Sequence, residues 1–191
     1  MTAPKVVDRR IVRTRDILGD ALMALMHEKS FDDITVQEVL DRAGVGRSTF
    51  YTHYRDKDDL FLSDVEEFFE RFATSLERRG ASGRRLAPVS EIFAHVRESR
   101  ELYAALVTSG KLNDIQELGR GVFARSIERR LKEMASESSG NWQVAQSYAL
   151  AGSLFSLLDW WINKGMIAEP KEMDDLFHKL AWTGLQSGHQ G

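Results

Sequence analysis

A run of side chains that donate hydrogen bonds lies within the first sixty residues. Its donors are Arg47, Ser48, Thr49, Thr52 and His53. Guanidinium, hydroxyl and imidazole groups can bind phosphate oxygens and the edges of DNA bases. If the run is helical, Phe50 and Tyr54 lie four residues apart on the face turned to the core, which leaves the donors outward.

Two short helices must position these donors, and the surrounding sequence predicts both. Thr35 and Glu38 have the spacing of a capping box, which predicts a helix over 35–43. A second helix over 47–54 follows the connection Gly44-Val45-Gly46. Small residues let two helices cross closely, and the central valine can fill the corner between them. The spacing therefore predicts a helix-turn-helix.

The segment 34–60 resembles the DNA-binding segment of TetR-type transcriptional regulators, and the resemblance covers about residues 11–62. The turn, the run 49–54 and the run Lys57-Asp58-Asp59-Leu60 match the family in register. Gly46 stands where the family often has serine, which weakens the cap of the second helix.

The resemblance implies roles for individual residues. Four side chains match positions that enter the major groove of DNA: Arg47, Ser48, Thr49 and Thr52. Three others match positions that hold phosphates: Tyr51, His53 and Lys57. Thr35 begins a helix, where its hydroxyl and backbone N–H groups can meet a phosphate. An ordinary surface aromatic at Tyr51 and an ordinary exposed histidine at His53 stay open as alternatives.

The charge distribution adds a basic arm to this segment. The 191-residue chain has a formal net charge of −3, which is not the basic character usual for nucleic-acid-binding proteins. Residues 1–15 carry +4, however, so the rest of the chain carries −7. The arm, with Arg13, can contact phosphates, although a solvated terminus is the alternative. The acidic body argues against indiscriminate binding to DNA.

Glycines, prolines and apolar periodicity predict an all-α chain of about nine helices. Pro88 and Pro170 precede amphipathic runs, and no alternation of period two predicts a strand. We expect a helix-turn-helix domain with its arm over 1–57, whose first helix begins at about Thr14 or, as the alternative, earlier at Asp8. A C-terminal helical domain for ligand binding and dimerisation follows over 58–191. Its later helices are expected over 88–98, 100–109, 112–138, 141–164 and 170–187.

The last two helices are candidates for a homodimer interface. The helix over 141–164 is apolar almost all round and must be covered on more than one side. The expected interface residues are Ala145, Ala149, Gly152 and Ser156, with Phe177 and Leu180 on the last helix. A two-fold dimer would present two reading heads to a palindromic operator. TetR-type proteins dimerise in this way, and the segment 157–166 also resembles the branch that includes dihydroxyacetone-kinase operon regulators.

The resemblance also implies a small-molecule effector, of unknown identity, between the fourth helix and those that follow it. The candidate pocket residues are aromatic: Phe72, Phe93, Tyr103, Phe123, Tyr148 and Phe155. Aromatic residues at helical spacing are usually core residues, and that alternative stays open for each of them.

No pattern in the sequence predicts catalysis. The chain has no cysteine, and its five histidines do not have the spacing of metal ligands, so we expect no enzyme, metal or cofactor. The uncharged stretch 141–158 holds six Asn, Gln and Ser side chains, which favours a buried helix over a membrane span. No signal peptide is predicted, and a cytoplasmic location is expected.

The sequence thus predicts a DNA-binding transcriptional regulator, more often a repressor in this family, that a small molecule releases from its operator. The alternative is an adaptor or coactivator that keeps the TetR fold and binds proteins without binding DNA. A small helical enzyme is the third and weakest hypothesis, since no acid, base or metal set is assembled.

Overall fold

The computed structural model of the protein describes residues 9–78, 85–108, 110–134 and 140–187. These residues form nine α-helices and a 3₁₀ turn, with no strand among them, which confirms the predicted all-α fold. The helices are α1 (Arg9–Met26), α2 (Val36–Ala43), α3 (Arg47–His53), α4 (Lys57–Arg78), α5 (Val89–Glu98), α6 (Arg100–Thr108), α7 (Leu112–Met134), α8 (Gly140–Asn163) and α9 (Pro170–Ser187). The 3₁₀ turn, Phe31–Asp33, was not predicted.

The first helix begins at Arg9, which agrees with the earlier of the two predicted starts and not with Thr14. The Thr14 hydroxyl does not cap the helix, because it donates to the carbonyl oxygen of Arg10 at 2.9 Å, one turn back. The expected apolar face is buried and includes Leu18 and Leu22.

The chain divides into two compact units, which we describe separately. The N-terminal unit holds the described residues up to Val65 together with Glu101–Leu112. The C-terminal unit holds those of Glu66–Arg100 and those from Asn113 onward. The α6 segment thus belongs with the helix-turn-helix, although it lies far from it in sequence.

The N-terminal unit has an apolar core to which all of its first four helices contribute. Leu18 of α1, Phe50 of α3 and Leu60 of α4 are fully buried, and Leu40 of α2 is nearly so. Gly19 allows close approach between α1 and α4, because a Cβ built there would lie 2.5 Å from a carboxylate oxygen of Asp64.

Three phenylalanine rings form the centre of the C-terminal unit. Phe69 of α4, Phe123 of α7 and Phe155 of α8 have ring centroids 5.8–6.0 Å apart. Gly119 of α7 makes room for them, because a Cβ there would lie 2.2 Å from Cζ of Phe155. The three rings therefore form one packed aromatic cluster.

A polar joint links the beginning of α5 to α9. One carboxylate oxygen of Asp174 accepts a hydrogen bond from the guanidinium of Arg85 at 2.9 Å and one from the Ser90 backbone N–H at 3.2 Å. The Leu86 backbone N–H donates to Nε2 of His178 at 3.0 Å. Because Nε2 accepts, the imidazole proton lies on Nδ1, which is 2.9 Å from the carbonyl oxygen of Asp174. These two contacts hold the imidazole of His178 in one orientation.

Candidate functional site

The helix-turn-helix is built as the sequence predicts. Thr35 caps α2 in a reciprocal capping box with Glu38. Gly44 ends α2 in the left-handed conformation with φ 63°, which favours glycine, and the Val45 N–H donates to the carbonyl oxygen of Leu40 at 3.2 Å. Gly46 precedes α3 without a side-chain cap, as expected for glycine at that position.

The two faces of α3 are separated as predicted. Phe50 is fully buried and Tyr54 is 6% exposed. The outward residues are exposed along the helix: Arg47, Ser48, Thr49, Tyr51 and Thr52. The Thr52 hydroxyl donates to the carbonyl oxygen of Ser48 at 2.9 Å, so in this state its hydrogen serves its own helix. The rest of this surface is open to a partner.

Arg47 is held from two directions. Its Nη1 atom lies 3.4 Å from Oε1 of Gln37 on α2, and its guanidinium carbon lies 5.6 Å from the ring centroid of Tyr51. The Gln37 amide nitrogen in turn donates to Asp41 at 2.8 Å. Sequence reasoning missed Gln37 and Asp41, although their spacing of four residues on a helix could have indicated the pair.

The hydrogen-bond donors of Thr35 are used within the helix-turn-helix itself. Its backbone N–H and its hydroxyl each donate to the same Glu38 carboxylate oxygen at 2.9 Å. Lys29 donates to the other oxygen at 2.6 Å. The hydrogen bond from Lys29, followed by those from Thr35, lowers the pKa of Glu38 to about 2. A phosphate at Thr35 would have to displace this carboxylate, so the predicted contact there stays a prediction.

The structure differs from the sequence-based expectation at Lys57. Its ammonium group donates to three carbonyl oxygens, those of Phe31 at 2.7 Å, Ile34 at 2.8 Å and Asp32 at 3.0 Å. An ammonium group has three N–H donors, and these bonds use all of them. In this structure Lys57 fastens the 3₁₀ turn to the start of α4 and offers no free donor to a phosphate.

The basic arm contains both outward and inward arginines. Arg9, Arg10 and Arg13 are exposed on the first turns of α1. Arg15 turns inward, where its guanidinium donates to the Tyr54 hydroxyl at 3.1 Å and to the Ser63 hydroxyl at 2.7 Å. His53 is half-buried beside the ring of Tyr54. The arm thus presents fewer charges outward than its composition indicates, and its residues 1–8 lie outside those described.

An open apolar groove of about 610 Å³ runs along α8 and α9. Four of the six predicted interface residues line it: Ala149, Ser156, Phe177 and Leu180. Large apolar side chains stay open to solvent there, with Trp142 65%, Leu180 62% and Trp160 48% exposed. Ala145 is exposed and Gly152 half-exposed on α8. Phe177 differs from its neighbours, because it is only 2% exposed and packs mainly into the core.

The structure does not bring the six effector candidates into one cluster. Phe93, Phe123 and Phe155 are core residues, each no more than 2% exposed. Tyr148 is 60% exposed. Phe72 is half-buried, with its ring centroid 5.7 Å from that of His95, and burial lowers the pKa of His95. Tyr103 belongs to the N-terminal unit, and burial raises its pKa to about 12.

Neither a metal-binding cluster nor a membrane-spanning helix is found among the described residues. No group of three or more acidic or histidine side chains there could hold a metal ion. No helix within the described ranges has the length and hydropathy to cross a membrane.

Curated relatives are regulators with helix-turn-helix domains. Over 63 residues the chain is 35% identical to the HTH-type transcriptional regulator YxbF of Bacillus subtilis. This aligned segment covers 32% of this chain and 17% of that protein. Over 125 residues it is 28% identical to an HTH-type transcriptional repressor of Mycobacterium tuberculosis, and this aligned segment covers 65% of each chain. The matches thus span less than two thirds of either relative.

Solved structures share the fold over most of the chain. A TetR transcriptional regulator from Streptococcus agalactiae is 23% identical, with a TM-score of 0.60, covering 91% of this chain and 96% of that one. The dihydroxyacetone kinase operon activator DhaS is 13% identical, with a TM-score of 0.63 and the same coverage of both chains. Identities this low show a common fold.

The exposed donors of α3, positioned by the capped α2 and the glycine turn, define the N-terminal segment as a helix-turn-helix. Residues 18–63 match the family described as bacterial regulatory proteins, tetR family. The match covers the helix-turn-helix segment, which is the part of the sequence that resembles this family.

Proposed function

We propose that the protein is a homodimeric repressor that binds a palindromic DNA operator and is released by a small molecule. The observation that carries the proposal is the outward face of α3, where Arg47, Ser48 and Thr49 are exposed above the buried ring of Phe50. A helix with donors on one face and a core anchor on the other suits insertion into the major groove. We assign DNA binding to 1–57, and effector binding and dimerisation to 58–191.

The apolar groove supports the homodimer. Trp142, Trp160 and Leu180 leave a large part of their surface open to water, and contiguous apolar surface of this kind marks association sites. The groove of one chain can pack against the same groove of a second chain, because a two-fold axis places the same patch on both sides of the interface. Such a dimer would carry two copies of α3, as a palindromic operator requires.

The proposed effector would bind within the C-terminal helical domain. Phe72 and Tyr148 are candidates that a ligand could reach without opening the phenylalanine core, since Phe123 and Phe155 pack against each other and against Phe69. Release requires that the effector bind the DNA-competent and DNA-incompetent states unequally. Native mass spectrometry of the purified protein would detect a ligand that is retained through purification.

Repression is proposed because a relative from Mycobacterium tuberculosis, 28% identical to this chain, is named a repressor. The fold neighbour DhaS is named an activator, but it is only 13% identical. A cytoplasmic location follows from the proposed action on bacterial DNA. An adaptor that does not bind DNA would not need exposed hydrogen-bond donors on α3. This chain retains those donors, so we favour the regulator over the adaptor.

The test is a binding assay on DNA that the protein itself selects. The purified chain is used to enrich duplexes from a random library, and the enriched duplex is titrated with wild type and with Arg47→Ala. We expect Arg47→Ala to weaken binding by tenfold or more, in line with a base contact of about 1–3 kcal/mol. Arg71→Ala, which removes the same charge from an exposed site in the C-terminal unit, should bind as wild type. Enrichment of no sequence by the wild type would refute the proposal.

A further inference from the structure

Arg47 contacts two other side chains of the helix-turn-helix. Its Nη1 atom lies 3.4 Å from the Gln37 side-chain oxygen, across the corner between α2 and α3. Its guanidinium carbon lies 5.6 Å from the ring centroid of Tyr51, one turn along α3. Two contacts from different directions restrict both the position and the plane of the guanidinium.

The ring of Tyr51 is itself anchored. It meets the ring of Phe50 edge-on, at a centroid distance of 5.3 Å and an interplanar angle of 87°. Because Phe50 is fully buried, this contact ties Tyr51 to the core although 48% of Tyr51 stays exposed. The guanidinium of Arg47 therefore lies over a ring of defined orientation.

Asp41 determines which end of the Gln37 amide faces Arg47. A carboxylate only accepts hydrogen bonds, so the amide nitrogen of Gln37 turns toward Asp41, at 2.8 Å. The amide oxygen is thereby left facing Arg47, as a guanidinium donor requires. In the opposite amide orientation, an NH₂ group would face the guanidinium and repel it.

We propose that Gln37, oriented by Asp41, is a positioning residue that sets the plane of the Arg47 guanidinium and thereby one base preference in each operator half-site. This inference rests on the proposed function. Bidentate recognition of guanine needs both donors of the guanidinium fork in one plane, directed at O6 and N7. A side chain already held in that plane loses less conformational entropy when it binds.

The experiment measures base preference rather than affinity alone. The duplex selected by the wild type is varied one base pair at a time, and the position whose preference disappears in Arg47→Ala is taken as the position that Arg47 reads. At that position, we expect Gln37→Ala to reduce discrimination by about threefold or more. Preferences at the other positions and the salt dependence of binding should stay unchanged, since a neutral side chain releases no counterion.

A double-mutant cycle separates positioning from direct contact. If Gln37 acts through Arg47, adding Gln37→Ala to Arg47→Ala should lower the affinity for the selected duplex no further. An additional loss of affinity in the double variant, or a loss of preference at a different base pair, would show that Gln37 touches DNA itself and would overturn the proposal.

Asp41→Ala provides an independent test of the amide orientation. It should reduce discrimination at the same base pair as Gln37→Ala. Asp20→Ala, which removes an equal charge from an exposed site on α1, is the matched control and should leave every preference intact. If the wild type enriches a sequence but Gln37→Ala keeps its full base profile, the positioning role is refuted and the proposed function stands. If the wild type enriches nothing, the proposed function itself has failed.

Discussion

Nζ of Lys57 lies 2.7 Å from the backbone carbonyl oxygen of Phe31 and 4.7 Å from the centroid of the same residue's ring. Lys111 approaches this ring too, at 5.1 Å, and pairs with Asp58. A lysine in the first turn of a helix opposes the helix dipole, and these contacts explain its presence. The ammonium group satisfies carbonyl groups at the end of the 3₁₀ turn while lying against an aromatic ring.

Replacing Lys57 tests whether it acts in folding or on DNA. Lys57→Met should lower the free energy of unfolding by about 1–3 kcal/mol, because it removes hydrogen bonds made by a charged donor. Urea denaturation measures this change, with the exposed Lys164→Met as control. The salt dependence of DNA binding should match that of wild type. A slope reduced by about 0.9 would instead show that Lys57 contacts a phosphate.

Two glycines of α7 provide a matched pair for the packing of the C-terminal unit. A Cβ at Gly119 would lie 2.2 Å from Cζ of Phe155, whereas one at Gly121 finds its nearest neighbour, an Arg125 nitrogen, at 3.7 Å. Gly119→Ala should therefore destabilise the protein by about 1–3 kcal/mol through overpacking. Gly121→Ala should stabilise it by up to about 1 kcal/mol through helix propensity. Equal unfolding midpoints for the two variants would contradict this view of the core.

The groove along α8 and α9 predicts the oligomeric state. Wild type should sediment as a dimer, and Leu180→Glu as a folded monomer, because it places an unpaired charge where two apolar faces meet. Leu180 is 62% exposed within one chain, so the substitution should leave the fold intact. Ile167→Glu, at a residue 77% exposed and outside the groove lining, is the control and should stay dimeric. A monomeric wild type would exclude the interface.

The pKa of Glu38 predicts a pH dependence of stability. It falls from an ordinary 4.5 to about 2, with the hydrogen bond from Lys29 as the largest cause. Because the folded state holds the proton less tightly, the stabilisation is complete above pH 4.5 and is lost as the pH falls toward 2. Carboxyl NMR titration should show that Lys29→Met raises the pKa of Glu38, while Lys171→Met leaves it unchanged. An unshifted pKa in Lys29→Met would assign the effect to Thr35 alone.

Arg13 and Arg15 should behave differently despite their proximity in sequence. Arg13 is exposed, so Arg13→Gln should flatten the salt dependence of operator binding by about 0.9 and leave stability unchanged. Arg15 binds the hydroxyl groups of Tyr54 and Ser63, so Arg15→Gln should lower the melting temperature instead. Reversed results would place Arg15 on the DNA.

Local signals explain why the helix-turn-helix could be predicted from the sequence. The capping box of Thr35, the left-handed Gly44 and the buried Phe50 each depend on residues a few positions apart. The orientation of Lys57 depends on carbonyl groups more than twenty residues away, so no local pattern could indicate it. The same holds for Arg15, whose charge placed it in the arm while its partners lie on later elements.

Local sequence patterns likewise could not predict which side chains of the C-terminal unit are buried. Periodicity predicted α8 and α9, but it could not separate the buried Phe177 from the exposed Leu180, since both belong to one apolar stripe. The effector candidates show the same limit: spacing identified the aromatic residues, and only tertiary packing shows that Phe123 and Phe155 fill the core.

The joint between α5 and α9 restricts the motions available to the last helix. The Leu86 N–H meets the His178 imidazole, and the Ser90 N–H and Arg85 meet Asp174, all within one turn of α9. Sliding α9 along its axis by a turn, about 5.4 Å, would break all three contacts at once. The joint therefore opposes a piston-like displacement of the last helix, which would cost all three hydrogen bonds together.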